Sequence, residues 1–177
     1  GPAGKPAEGP GGAANGAVSL DGVSERITYR LGAWPEEDYA VSLRFKVASL
    51  PSGRLGQVFS AWAASMDDPL RLVVDNGKLF ARIEASQSAS TKGAPIETGR
   101  WYHVAAVKAG GRLTLFLDGR EVDSTGAPQY LTSQAVDCAL GGNPHFSGNE
   151  HLAVTVADLA LFPRGLSAEE VKELARP

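Results

Sequence analysis

The chain has 177 residues, of which 43% are hydrophobic, enough for one domain with a sizeable core. Its formal net charge of -3 and its scattered Lys and Arg residues give no general attraction to polyanions, so we expect no nucleic-acid partner. No apolar run approaches the roughly 18 to 20 residues of a membrane span, and we expect no membrane insertion. The single cysteine, Cys138, cannot form an internal disulfide and is predicted to be a small buried apolar residue.

Residues 1–16 read GPAGKPAEGPGGAANG and consist mostly of Gly, Pro and Ala. This composition is typical of a flexible linker, so we predict a linker followed by one domain over residues 17–177. The leading Gly-Pro resembles the remnant of a protease-cleaved tag and is kept out of the fold argument. These features predict a module of a longer protein, with that protein's neighbouring domains as partners.

Short alternating segments separated by turn residues follow the linker. They are AVSL, ITYRL, DYAVSLRFKV, GQVFSAWA, LRLVVD, KLFARIEA, WYHVAAVK, RLTLFLD, REVDS, VDCALGG and HLAVTVADLALF. Most have the period of two that is typical of strands. Turns that tolerate positive φ separate several of them, at 75–77, 109–111 and 118–119. The pattern predicts an all-β antiparallel sandwich or barrel.

Only the C-terminal end has a helical pattern. Ser167 and Glu170 have the spacing of a capping box, and Leu166 and Val171 are placed to form the flanking hydrophobic staple. We therefore predict one short helix over residues 168–175.

The segment 99–119 has a Gly-x-Trp-x-His-Val-Ala run, a Gly turn, and then Leu-x-Leu-aromatic-Leu-Asp-Gly. This order of motifs resembles the signature of LamG-like jelly-roll domains of the concanavalin A-like lectin/glucanase superfamily. Other landmarks follow in the expected order: AVSLDG at 17–22, DYAVSLRFKV at 38–47, NGKLFARI at 76–83, ALGGNPHFSG at 139–148 and RGLSAEEVKEL at 164–174. The resemblance implies a two-sheet jelly roll that serves as an accessory module of a secreted bacterial protein. It thereby implies a secreted, periplasmic or cell-surface location.

Trp101 and His103 lie two positions apart, so their side chains share one face of a strand. The resemblance implies that both are scaffold residues buried between two stacked layers, with the imidazole held by a hydrogen bond. A general base would need a partner within hydrogen-bond reach, and the sequence contains no such motif.

Some members of the family hold a structural calcium between their first and last strands, and the resemblance implies Asp21 and Asp158 as its ligands here. The usual final strand has an acidic pair where this chain has Ala157-Asp158. The missing carboxylate weakens the prediction, since calcium takes about six to eight oxygen ligands. The alternative is that Asp21 belongs to an Asp-Gly turn and that Asp158 is solvated.

Carbohydrate binding requires exposed aromatic faces that stack on sugars. Trp34, in the loop GAWPEED, and Tyr130, in APQYLTSQ, are the candidate stacking residues. The alternative for Trp34 is an indole folded onto the edge of the core. Trp62 alternates with Val58 and Ser60, which predicts a core position.

Polar groups for sugar hydroxyls are expected on the loop that follows Gly141-Gly142, since the glycines would let the backbone approach a ligand closely. The candidate residues of that loop are Asn143, His145 and Asn149. Two further candidates lie at polar positions of neighbouring strands, where they would share one outer face or belong to an ordinary solvated surface: Arg71 and Arg82.

These features predict a non-catalytic module that binds carbohydrate. The alternative is a structural or protein-interaction spacer that binds no sugar. A glycoside hydrolase is disfavoured because retaining hydrolysis needs two carboxylates about 5 Å apart, whereas the strands carry single carboxylates such as Glu84 and Asp158. The sequence also lacks a Gly-x-Ser-x-Gly elbow, a His-Glu-x-x-His motif and a phosphate loop.

Overall fold

A computed structural model describes residues 3–146 and 148–177. This part of the chain contains fourteen strands and one α-helix. The strands are β1 (Lys5–Ala7), β2 (Ala17–Asp21), β3 (Ile27–Arg30), β4 (Tyr39–Val47), β5 (Gly56–Ser60), β6 (Asp68–Asp75), β7 (Lys78–Glu84), β8 (Ala89–Ser90), β9 (Ala94–Pro95), β10 (Trp101–Ala109), β11 (Arg112–Leu117), β12 (Arg120–Gly126), β13 (Asp137–Leu140) and β14 (Ala153–Phe162). The helix is α1 (Ala168–Leu174).

Two antiparallel sheets stack to form a sandwich. The first sheet has the strand order β1-β2-β14-β4-β10-β11-β12, and the second has the order β3-β13-β5-β6-β7-β8, with β9 paired to β7. Strands distant in sequence are neighbours, as where β14 lies between β2 and β4, which is the connectivity of a jelly roll. The predicted all-β sandwich is confirmed.

The main core lies between the sheets and follows the alternation of each strand. On β10 the side chains of Tyr102, Val104 and Ala106 point inward, and the ring of Tyr102 stacks 5.5 Å from that of Phe45. Cys138 is fully buried in this core, and burial raises the pKa of its thiol to about 12. The prediction for Cys138 is confirmed.

The helix α1 packs on the outer face of the first sheet, where Val171 and Leu166 join a second apolar cluster with Ala105 and Val107. Its first turn has the predicted capping box, since Ser167 accepts from the backbone N–H of Glu170 and the Glu170 carboxylate accepts from the Ser167 N–H. The predicted helix is confirmed. Among the described residues, no helix has the length and apolarity needed to cross a membrane.

The predicted linker differs from the structure in part. Lys5–Ala7 pairs with Ala17–Ser19 and forms the edge strand of the first sheet. The chain reverses between these segments through a 3-10 turn at Pro10–Gly12, held by the Gly9 N–H donating to the Ala13 carbonyl at 2.8 Å. A glycine-rich composition predicts flexibility, but here the glycines supply a reversal that allows backbone pairing. Residues 1–2 lie outside the described residues.

Candidate functional site

The outer face of the second sheet collects polar and aromatic side chains from β6 and β7 and the segments that border β5. On β6 the side chains of Leu70, Leu72 and Val74 point into the core, so Arg71 points outward. We use the name outer-face site for one set of residues on this face: Trp62, Arg71, Arg82, Glu84, Phe146 and Glu150. Two depressions of about 350 Å³ each adjoin there, and both are lined by Arg71 and Glu84.

The predicted pair of arginines lies at the centre of this site. Arg71 and Arg82 are directly opposite each other on β6 and β7, so they share the outward face, as predicted. Arg71 forms an ion pair with Asp68 through Nε, and its Nη2 lies 3.8 Å from Oε2 of Glu84. Arg82 lies 3.3 Å from Oδ2 of Asp75. Each guanidinium is thus already matched by at least one carboxylate.

Asp68 forms the floor beneath Arg71 and is completely buried. Burial raises the pKa of its carboxyl to about 7, although the charge of Arg71 acts in the opposite direction. The negative charges of Glu84, which lies opposite Asp68 on β7, and of Glu150 raise the pKa of Asp68 further. The strands therefore do place carboxylates close together around one arginine, which the sequence pattern did not predict.

One wall of the site is a loop that β5 holds in place. Ser60 donates its hydroxyl to Oδ1 of Asn143 at 2.6 Å, and the Asn143 amide donates to Oε2 of Glu150 at 2.5 Å. The Gln57 amide donates to the same carboxylate oxygen at 2.9 Å. The sequence predicts that Asn143 contacts a ligand. It is buried instead, and its side chain hydrogen-bonds to Ser60 of β5 and to Glu150 of the loop.

An aromatic pair stands at the edge of the same depression. The rings of Trp62 and Phe146 are 5.3 Å apart and tilted by 60°, and Phe146 is 37% exposed. The prediction that Trp62 is a core residue is wrong. A bulge on β5 after Gln57 leaves both Val58 and Phe59 in the core, which reverses the alternation and turns Trp62 outward.

Two other predicted residues lie on the wall loop. Nε2 of His145 contacts the carboxylate of Asp137 at 2.9 Å, and its side chain is about half exposed. Asn149 is exposed. Neither residue lines the two depressions.

The glycines before that loop serve the core instead of a ligand. Gly141 has a φ of +75°, and a Cβ atom there would lie 2.4 Å from a side-chain carbon of Leu20. The backbone at Gly141 does approach another group closely, as expected, but that group is the side chain of Leu20 and not a ligand. Only a glycine, with a hydrogen in place of Cβ, fits here.

The two predicted stacking aromatics lie away from the outer-face site. Trp34 is only 6% exposed and packs edge-on against Tyr39 at 5.2 Å, so it offers no free indole face for a sugar. The alternative stated for Trp34, an indole folded onto the edge of the core, is the arrangement observed. Tyr130 is 66% exposed, on a loop whose neighbouring Gln129 carbonyl accepts from the buried ammonium group of Lys108.

The residues proposed for calcium do not share a site. Asp21 pairs with Ala153, five residues before Asp158 on β14, and five residues of extended strand span about 16 Å. Oδ1 of Asp21 accepts from the backbone N–H groups of residues 23–25, which hold the pKa of its carboxyl well below its usual range. Asp158 forms an ion pair with Arg44 at 3.3 Å. Among the described residues, no group of three or more His, Cys, Asp or Glu is placed to hold a metal.

The signature residues Trp101 and His103 point away from the main core, to the outer face of the first sheet. His103 is 3% exposed and hydrogen-bonds through Nε2 to the Ser42 hydroxyl at 2.8 Å. Burial, assisted by Arg44, lowers the pKa of His103 to about 4. Trp101 is only partly buried, with the ammonium group of Lys46 5.2 Å from its ring. The expectation that both lie between the layers is wrong, because Tyr102 occupies the inward position.

The two sheets and their jelly-roll connectivity define a domain with the concanavalin A-like fold. The chain belongs to the laminin G-like family Laminin_G_3, described as the Concanavalin A-like lectin/glucanases superfamily, whose model matches residues 15–172. No curated protein matches the sequence significantly.

Several solved structures share this fold. Domain 4 of AbnA, a GH43 extracellular arabinanase from Geobacillus stearothermophilus in complex with arabinotriose, matches with a TM-score of 0.79 and 22% identity, covering 96% of this chain and 80% of that one. A Trypanosoma rangeli sialidase matches at 0.72 and 16%, covering 90% of this chain and 27% of that one. A heptameric SAP-like pentraxin from Limulus polyphemus matches at 0.69 and 20%, covering 89% and 80%. At these low sequence identities, the structural similarity establishes a shared fold alone.

Proposed function

We propose that this domain is a non-catalytic module that binds carbohydrate at the outer-face site, as part of a larger exported protein. The aromatic pair of Trp62 and Phe146 beside the Arg71–Glu84 depression carries the proposal. Exposed aromatic carbon stacks on the C–H faces of sugars, while carboxylates and guanidinium groups bind their hydroxyls. The extracellular arabinanase domain that matches the fold was solved with arabinotriose, which supports a sugar ligand and an extracellular location.

The outer face of the second sheet is also the more accessible of the two outer faces, which favours it as the ligand site. The outer face of the first sheet packs against α1, whose Val171 is fully buried there. On the second sheet, the described residues include no helix over the outer face, and Glu84 is 43% exposed on its side chain. A ligand can therefore reach the polar residues of the second sheet without displacing a packed element.

The carboxylates around Arg71 raise the question of hydrolysis. A glycosidase acid has a raised pKa, as Asp68 does, and a second carboxylate nearby. However, the Asp68 side chain has no exposure, so its proton cannot reach a glycosidic oxygen of a bound ligand. This burial supports a binding role over a catalytic one.

The test is isothermal titration of the domain with arabinotriose and with a panel of neutral oligosaccharides. We expect binding that Trp62→Ala and Phe146→Ala each weaken by at least about tenfold, because each variant removes half of the aromatic platform. Trp101→Ala and Tyr130→Ala are matched controls, since they remove partly exposed or exposed aromatic groups elsewhere. Both controls should retain wild-type affinity.

Three results would count against the proposal. Equal losses in the controls and in the site variants would place the ligand elsewhere, and no binding to any sugar would favour a spacer or protein-interaction domain. New reducing ends on incubation with the panel would contradict the non-catalytic assignment.

A further inference from the structure

We infer that the outer-face site selects neutral sugars and discriminates against carboxylated or sulfated ones. The inference rests on the proposed function and concerns the chemical class of its ligand. It follows from how the charges of the site are paired.

The two guanidinium groups in the site are not free to bind an anion. Arg71 contacts the buried carboxylate of Asp68 and lies near Glu84, and Arg82 is paired with Asp75 at 3.3 Å. Where Asp68 is ionised, an anionic ligand that took Arg71 would leave its carboxylate buried without a counter-charge. Removing one partner of a buried ion pair is strongly unfavourable, so the pairing opposes acidic ligands.

The remaining charges of the lining are negative. Glu150 accepts both amide hydrogen bonds at Oε2, so within the described residues Oε1 is left for a ligand. Glu84 faces the same depression with 43% of its side chain exposed. These oxygens accept hydrogen bonds from hydroxyl groups, which a neutral sugar supplies in abundance, and they repel a uronate or a sulfate.

The other basic residues near this face do not reverse the balance. Arg54, beside Leu55 at the rim, donates to the carbonyls of Leu55 and His151 at 3.1 and 2.6 Å. His145 is paired with Asp137 at 2.9 Å. Lys78 lies opposite Asp75 at the far end of β7 and does not line either depression.

The experiment compares polysaccharides in pairs that share a backbone and differ in whether they carry anionic groups. Fully methyl-esterified and de-esterified polygalacturonate form one pair, and dextran and dextran sulfate form another; arabinotriose serves as a neutral reference. Titrations at about pH 8.5, where Asp68 is ionised, and at low and moderate salt separate specific binding from general attraction. We expect the neutral member of any pair that binds to do so at least about tenfold more tightly than its acidic counterpart.

Two variants test the stated cause. Asp68→Asn keeps the shape but leaves Arg71 without its buried counter-charge, and Glu84→Gln removes an exposed carboxylate without disturbing the core. Each should raise affinity for the acidic member by about tenfold relative to the neutral one. Glu121→Gln, an exposed position on β12 of the first sheet, makes the same change in net charge and should have no effect. Thermal melts establish that each variant is folded.

The outcomes separate the inference from the proposed function. Equal or tighter binding of the acidic member, or unchanged selectivity in folded Glu84→Gln, overturns the inference while sugar binding itself stands. Failure to bind any member overturns the proposed function and the inference with it.

Discussion

The carboxyl group of Asp68 is fully buried against Nε of Arg71, so above its pKa of about 7 it neutralises the central cation of the outer-face site from below. This arrangement fixes the guanidinium in place, with Nη2 directed toward Glu84. It also places a titratable group in the interior, where its protonation is linked to folding.

Asp68→Asn should change how stability depends on pH. The pKa of Asp68 is about 7 in the folded state against an ordinary value of 3.8, so this group's stabilisation is full below pH 3.8 and is lost as pH rises through 7. The advantage of the wild type over Asp68→Asn should therefore shrink from pH 4.5 to 7.5. Urea unfolding at a series of pH values measures this difference in the free energy of unfolding, and Glu121→Gln is the control. A wild-type advantage that grows with pH would refute the prediction.

His103→Gln should have the opposite signature. The pKa of His103 is lowered from 6.5 to about 4, so its stabilisation is present above pH 6.5 and is lost as pH falls through 4. At about 1.4 kcal/mol for each tenfold change in proton affinity, the loss is on the order of 3 kcal/mol. His145→Gln, at a half-exposed position, is the matched control. If His103→Gln and the wild type lose stability in parallel between pH 6.5 and 4, the imidazole is not responsible.

The sequence predicted the parts of the fold that depend on local chemistry. The capping box at Ser167 and the turn at Asn76-Gly77, where both residues have positive φ, are each determined by a few neighbouring residues. The shared face of Arg71 and Arg82 also follows from alternation alone. These predictions needed no knowledge of which strands pair.

The remainder of the site depends on features that no short pattern encodes. The bulge after Gln57 changed the side of the sheet that Trp62 faces, and only the β5–β6 pairing reveals it. Phe146 and Glu150 meet Arg71 because a loop distant in sequence folds over β5. Trp34 is buried because the fold leaves space for its indole beside Tyr39 and Phe59, and the local sequence does not encode that space.

Trp34→Ala should destabilise the domain without weakening sugar binding. The indole is 6% exposed and packs against Tyr39 and Phe59, so its removal leaves a cavity and should cost about 3 to 5 kcal/mol. Trp34→Phe, which fills much of that space, should cost less. Urea unfolding gives the free energies, and titration at a temperature where each variant is folded gives affinity. Tyr130→Ala, at a 66% exposed position, should stay within about 0.5 kcal/mol of the wild type, and a sugar-binding defect in folded Trp34→Phe would show that this loop contacts the ligand.

Ser167→Ala should loosen the helix that covers the first sheet. The Ser167 hydroxyl accepts from the Glu170 N–H at 3.1 Å, and loss of such a cap costs about 1 kcal/mol. Ser167→Asn retains a side-chain acceptor at the same position and should restore most of the stability. Hydrogen exchange localises the effect: the amides of α1 should exchange faster in Ser167→Ala, while those of β6 and β7 should follow only the global change. Equal stability of Ser167→Ala and the wild type would show that the cap contributes little, and that contacts such as the burial of Val171 and Leu166 hold α1 on the sheet without it.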